Sequence, residues 1–183
     1  GHVAVIGPNA DEVEVLAGNY SGTPIAPVTV LAGVRAAAGA GTKVTFARGG
    51  PLATGLPDLH VVPGSALSTG DGRPGLVGSY YRGVFAGGPV LERVDAAVDF
   101  DWADRSPDPA LDDDSFSVRW TGFLTAPATG RTTLGARCAN ACRLLVDGKP
   151  IAQGRSDHDP TTITGSVPMQ AGRSYPIRLE VEH

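Results

Sequence analysis

The spacing of apolar residues changes character near residue 75 of this 183-residue chain. Val3-Ala-Val-Ile6 is a continuous apolar run closed by Gly7-Pro8, the pattern of a strand buried on both faces of a parallel sheet. Asn9 is placed to cap a short helix over about 11–17, where Asp11, Glu12 and Glu14 suit the positive end of the helix dipole and Gly18-Asn19 ends it. A second helix is predicted from about Pro27 to Ala38. Pro27 stands near its first position, Val30, Leu31 and Val34 fall on one face, and Gly39 is the stop. Lys43 to Ala47 reads as the next strand. Strand, helix and strand in that order start a parallel α/β unit, but two strands cannot bury both faces of a sheet. This piece is expected to need a partner and to fray or pair with another chain without one.

From Gly75 onward the period is two. Phe116, Val118 and Trp120 share one strand face and Ser117, Arg119 and Thr121 the other. Likewise Tyr175, Ile177, Leu179 and Val181 alternate with Pro176, Arg178, Glu180 and Glu182. Between them, Arg143 to Val146 and Lys149 to Ala152 flank Asp147-Gly148, the pair a two-residue type I′ hairpin needs because both turn residues take positive φ. Ala171-Gly172 marks a further turn. The prediction is a mainly β chain, a β-sandwich or squat barrel over 75–183 preceded by a partial strand-helix-strand fragment over 1–50. The Gly-, Pro-, Ser- and Thr-rich stretch 51–74 is read as a linker.

Composition narrows the functions. Twenty-five glycines and 15 prolines favour short strands and turns over long helices. The net charge of −4, with Lys and Arg scattered, argues against nucleic acid or an anionic membrane as partner. No stretch approaches the ~20 apolar residues that span a bilayer. Cys138 and Cys142 would be about 13 Å apart if extended, so a disulfide requires a tight turn at 139–141. Two buried thiols are the alternative. A bridge is the favoured reading and leans towards an exported protein.

Several segments carry a resemblance to known families. Gly75-Leu-Val-Gly-Ser-Tyr-Tyr81, Pro89-Val-Leu91, Val98-Asp-Phe-Asp-Trp102, Phe116-Ser-Val-Arg-Trp-Thr-Gly122 and Ala171 to Arg178 resemble a PA-fourteen domain, the protective-antigen-type β-domain of carbohydrate-active and adhesive proteins. Val3 to Ala10, Gly18-Asn-Tyr-Ser-Gly-Thr-Pro24 and Lys43 to Gly49 are similar to the opening of the C-terminal α/β sandwich domain of family-three glycoside hydrolases. Some β-glucosidases and β-xylosidases of that family carry a PA-fourteen domain inserted soon after the second strand of this sandwich. The resemblance therefore implies a fragment of such an enzyme, acting on plant-type oligosaccharides, with the inserted domain shaping the pocket rim. It implies no catalysis by this piece, because the nucleophilic Asp lies in an N-terminal barrel and the acid/base Glu beyond the insertion. An independent carbohydrate-binding module and a structural domain for subunit contacts are the rival readings.

Within the chain, Glu12, Glu14, Glu92, Glu180 and Glu182 match no catalytic motif and read as solvated faces, although glycoside hydrolysis uses paired carboxylates. Ser21 with His60 or His158 says nothing about distance. Asp112-Asp113-Asp114 and Asp157-His158-Asp159 read as polar loops, since consecutive carboxylates point in different directions. In adhesin-type PA-fourteen domains, a cis-linked aspartate pair holds calcium just before an Arg-Leu-hydrophobic-hydrophobic-Asp-Gly strand and turn. Here that strand is Arg143 to Gly148, and the pair's positions hold Ala139 and Asn140, so no metal or other cofactor is expected. Among the aromatics, Tyr81, Phe100, Trp102, Phe116, Trp120 and Tyr175 are assigned to packing. Phe85, between glycines, and Phe123, opposite Trp120, are the candidates for sugar stacking, with Asn140 as a hydrogen-bonding partner.

Overall fold

The computed structural model describes residues 1–17, 22, 24–50, 59–102, 105–113, 115–156 and 160–183, in two units, Gly1–Asp58 and Leu59–His183. In the first unit, β1 (His2–Ile6) and β2 (Lys43–Ala47) pair in parallel, with His2 opposite Lys43 and Ile6 opposite Ala47. Parallel pairing agrees with the apolar run; its burial does not. Val3 is 40% and Ile6 70% exposed, because a lone pair of strands has too little cover to shield both faces. The helix α1 (Val30–Ala37) begins later than Pro27 because Thr29 takes the cap. Its hydroxyl accepts the Ala32 N–H at 3.1 Å and donates to Asp11 at 2.7 Å. Leu31 is fully buried, but Val30, expected on the same buried face, is exposed. The helix expected over 11–17 is a single 3-10 turn, Glu14–Leu16. So short a segment, with β-branched Val13 and Val15, makes too few backbone bonds to offset nucleation.

The second unit is built from β3 (Leu67–Ser68), β4 (Leu76–Arg82), β5 (Leu91–Asp95), β6 (Phe116–Thr125), β7 (Gly130–Cys138), β8 (Ala141–Val146), β9 (Lys149–Arg155), β10 (Thr161–Met169) and β11 (Ser174–Glu182). The stretch expected as a linker thus includes β3, with Leu67 opposite Leu124 and Ser68 opposite Phe123. A seven-stranded antiparallel sheet runs β5-β4-β6-β11-β8-β9, with β3 joined to β6. β7 and β10 form a second, two-stranded sheet. The inward faces carry the predicted alternation: Tyr80, Phe116, Val118, Trp120, Leu144, Val146, Tyr175 and Val181 from the large sheet meet Ile163 and Met169 from the small one. Asp147 (φ 50°) and Gly148 (φ 72°) make the tight turn between β8 and β9.

Two details hold the sandwich. The first is Asp95 at the end of β5, whose Oδ2 accepts the Tyr80 hydroxyl at 2.6 Å and the Trp120 indole N–H at 2.7 Å. Its Oδ1 accepts Arg93 Nε at 2.7 Å. Gly78 makes room for this arrangement, since a Cβ there would lie 2.5 Å from Asp95 Oδ2. Burial first, and then the Asp95 carboxylate on its hydroxyl, push the Tyr80 phenol far above the ordinary tyrosine range. Outside this network Phe100 and Trp102 stack on Trp120 with ring centroids 5.8 and 6.2 Å away, which agrees with the assignment of Trp102 to packing, whereas Phe100 stays 38% exposed. The second detail lies where β9, the edge of the large sheet, passes the small sheet: a Cβ on Gly165 of β10 would stand 2.1 Å from the Ile151 carbonyl oxygen of β9. Only backbone fits between them.

Candidate functional site on the outer face of the large sheet

The register that buries Trp120 and Val181 sends their neighbours to the opposite face. Arg119 of β6 stands opposite Glu180 of β11, Glu180 opposite Arg143 of β8, and Arg143 opposite Gln153 of β9. One row further along, Ser117, Glu182, Ala141 and Arg155 line up in the same way. A hollow of about 480 Å³ lies over these rows, lined by Phe85, Arg143, Gln153, Arg155, Glu180 and Glu182 among others.

The two glutamates are not the solvated residues that the sequence suggests. Their side chains are only 13% and 21% exposed, because arginines lie against them. Glu180 accepts Arg119 Nε at 2.9 Å, with Arg178 Nε 3.5 Å away, and Glu182 pairs with Arg155. Arg143, by contrast, is exposed and makes no ion pair among the described residues, and Gln153, also exposed, makes no side-chain hydrogen bond there. The face therefore offers a free guanidinium and a free amide, adjacent across two strands, between pairs that neutralise each other.

Phe85 bounds this hollow, and its place is fixed by the backbone. It has φ 49°, a left-handed conformation rare for a bulky residue, so the surroundings must over-determine it. Its N–H donates to Ser117 Oγ at 2.8 Å, and the Ser117 hydroxyl, fully buried, donates to the Gly83 carbonyl at 2.8 Å. The ring meets Tyr81 edge-on at 5.5 Å, and the Arg119 guanidinium stands 5.0 Å from its centroid. Phe123 is half-buried on the same sheet face but opposite Ser68 and Pro176, further along β6. Asn140 is exposed, and its carbonyl accepts the Ser156 N–H at 2.9 Å beside Ala141, at one end of the hollow. Of the three expected sugar contacts, Phe85 lines the hollow, Asn140 borders it, and Phe123 lies apart.

Cys138 and Cys142 are joined by a disulfide whose Cα atoms are 6.3 Å apart, the β7–β8 turn at Ala139-Asn140 bringing them within reach. No cis peptide occurs among the described residues, Ala139-Asn140 included. Reduction is expected to cost about 2 kcal/mol from the entropy of so small a ring, read as a lower urea midpoint at unchanged slope. Of the acidic loops, Asp113 accepts the Ser106 N–H at 2.7 Å, and that hydrogen bond holds its carboxyl below the usual range. Among the described residues no group of three His, Cys, Asp or Glu side chains could hold a metal ion. Gly18 to Ser21, Thr23, Asp114 and Asp157-His158-Asp159 lie outside the described residues. No helix among the described residues is long and apolar enough to cross a membrane.

The profile of the PA14 domain family matches residues 72–183, which is the sandwich that carries the hollow. The chain belongs to the PA14 family. Anti-sigma-I factor RsgI3 of Acetivibrio thermocellus is 30% identical over 106 residues, covering 58% of this chain and 16% of its own length. Xylan 1,4-beta-xylosidase of Xylanibacter ruminicola is 30% identical over 151 residues, 80% of this chain and 17% of its own length. The chain thus spans less than a fifth of these curated relatives. A solved β-glucosidase of Kluyveromyces marxianus, in complex with glucose, shares the fold over 98% of this chain and 23% of its own, with TM-score 0.54 and 18% identity. In this PA14 domain Gln153 of the hollow stands in no sequence motif, and Arg143, although it opens the Arg-Leu-Leu-Val-Asp-Gly run, is assigned no role by it. Only the alternation on β8, β9 and β11 could have pointed to them, by placing them on one face.

Proposed function

We propose that this chain is the accessory carbohydrate-recognition part of a β-glycosidase, in which the PA14 domain is inserted into an α/β sandwich domain and shapes the rim of the catalytic pocket. On this reading the catalytic carboxylates belong to other parts of the parent enzyme. The observation that carries this reading is the reach of the xylosidase likeness. It covers 80% of the chain, beyond the 72–183 stretch of the family, and so takes in part of the α/β unit as well as the β-domain. The exposed Val3, Ile6, Val28 and Val30 of that unit support it too, since the remaining strands of a sandwich domain would cover such a surface. Its ligands would be β-linked gluco- or xylo-oligosaccharides.

A second reading, an independent binding module, is favoured by the anti-sigma factor relative, whose likeness covers only 58% of this chain. The two share one site, the outer hollow. A subunit-contact role is less well supported: the large apolar side chains exposed among described residues of 59–183 are Val61, Val84 and Phe100, scattered along the chain. Titration calorimetry with β-gluco- and xylo-oligosaccharides is expected to give weak saturable binding, unchanged by a chelator and weakened several-fold by Phe85→Ala or Gln153→Ala. Loss of binding on chelation would instead make the acidic loops a metal site. The absence of binding at millimolar ligand would exclude autonomous recognition.

A further inference from the structure

We infer that the outer hollow of the β-domain recognises an acidic saccharide, with Arg143 receiving the carboxylate of a uronic acid residue and Gln153 hydrogen-bonding its ring hydroxyls. This rests on the reading of the hollow as a carbohydrate surface and names the class of sugar. Charge on the sheet face is unbalanced: Arg119, Arg143, Arg155 and Arg178 stand against three carboxylates, Glu180 and Glu182 at the hollow and Glu92, which accepts the Ser79 hydroxyl two strands away. Arg119 and Arg155 hold Glu180 and Glu182 in place, so neither of these is available to Arg143. Arg178 Nε is buried and pairs with Glu180 only at 3.5 Å, without a hydrogen bond among the described residues.

A guanidinium is planar, always charged and matched to a carboxylate by two parallel N–H···O bonds. Neutral hydroxyls would leave its charge uncompensated; a uronate compensates it and keeps the hydroxyls for Gln153. The hollow, at about 480 Å³, is within the size range of small-molecule sites. Its edge is set by Phe85, whose ring is immobilised by Tyr81 and Arg119 before any ligand arrives, so little ordering cost falls on binding. The second cavity, along Pro150 to Gln153, adds no charged group.

The test titrates the whole chain with xylotriose, with xylotriose carrying a single glucuronate branch, and with tri-glutamate as an acidic peptide. The branched sugar is expected to bind about tenfold tighter than the neutral one, the advantage of one charge-assisted contact, and to lose that advantage as salt is raised. Arg143→Gln should abolish the difference between the two sugars while keeping the melting temperature, since Arg143 is exposed and makes no ion pair among the described residues. Equal affinity for both sugars would overturn the inference and leave the carbohydrate reading standing. Binding of neither sugar would overturn both. A preference that survives Arg143→Gln would refute the assignment to that residue, and tighter binding of tri-glutamate than of either sugar would refute the saccharide.

Discussion

Replacing Asp95 by alanine is expected to cost the β-domain about 3 kcal/mol, since two buried donors lose the carboxylate that accepts them and each such loss costs roughly 1–3 kcal/mol. The donors are the Tyr80 hydroxyl and the Trp120 indole N–H, both on one oxygen of a carboxylate only 6% exposed. Arg93 adds less, because it is 37% exposed and water can replace its partner. Urea unfolding followed by tryptophan fluorescence reads the loss directly. Tyr80→Phe separates the contributions, and it should cost about 1 kcal/mol, the usual net value of one hydrogen bond. It also tests the titration of Tyr80. A phenol whose folded pKa is raised contributes stability that is complete below its unfolded value of about 10 and declines as pH rises above it. The wild type should therefore lose more stability than Tyr80→Phe between pH 10 and 11.5. Parallel decline of the two proteins would mean that Tyr80 is not shielded as described.

The second large effect is expected at Gly165. Alanine there would place a methyl group 2.1 Å from the Ile151 carbonyl oxygen, a backbone atom that cannot swing aside. β9 must then lift from β10, at a cost of about 3 kcal/mol, the upper end for overpacking. Gly70→Ala is the control, because open space surrounds that position and restricting the unfolded chain makes it neutral or stabilising by about 0.4–1 kcal/mol. Equal urea midpoints for the two variants would show that the sheets do not approach so closely.

Much of this architecture was legible in the chain. The alternation at Phe116 to Trp120 and Tyr175 to Val181 gave strands and faces because a half-buried strand must repeat every second residue. Asp147-Gly148 gave its turn because few residues tolerate positive φ. What failed failed for want of tertiary information. Pro27 looked like a helix start until Thr29 found both Ala32 and Asp11 within hydrogen-bonding distance. Val3 to Ile6 looked doubly buried because an apolar run records what a strand can cover, not what is there to cover it. The hollow was hidden for a related reason. Glu180 and Glu182 have the alternation of a solvated face, and only the pairing of β6, β11 and β8, with Phe85 fixed beside them, makes that face a site. Arg143 sits inside the Arg-Leu-Leu-Val-Asp-Gly run used for the resemblance, yet its lack of a partner is a fact of three dimensions.

The strand order has a consequence for how the domain is made. β11 lies in the middle of the large sheet, between β6 and β8, although it is the last strand in the sequence. Until it pairs, β5-β4-β6 and the β8–β9 hairpin share no hydrogen-bonded ladder, and each exposes an edge. The hollow, lined by Phe85 from one half and by Arg143 and Arg155 from the other, is therefore complete only once residues 174–182 pair between the two.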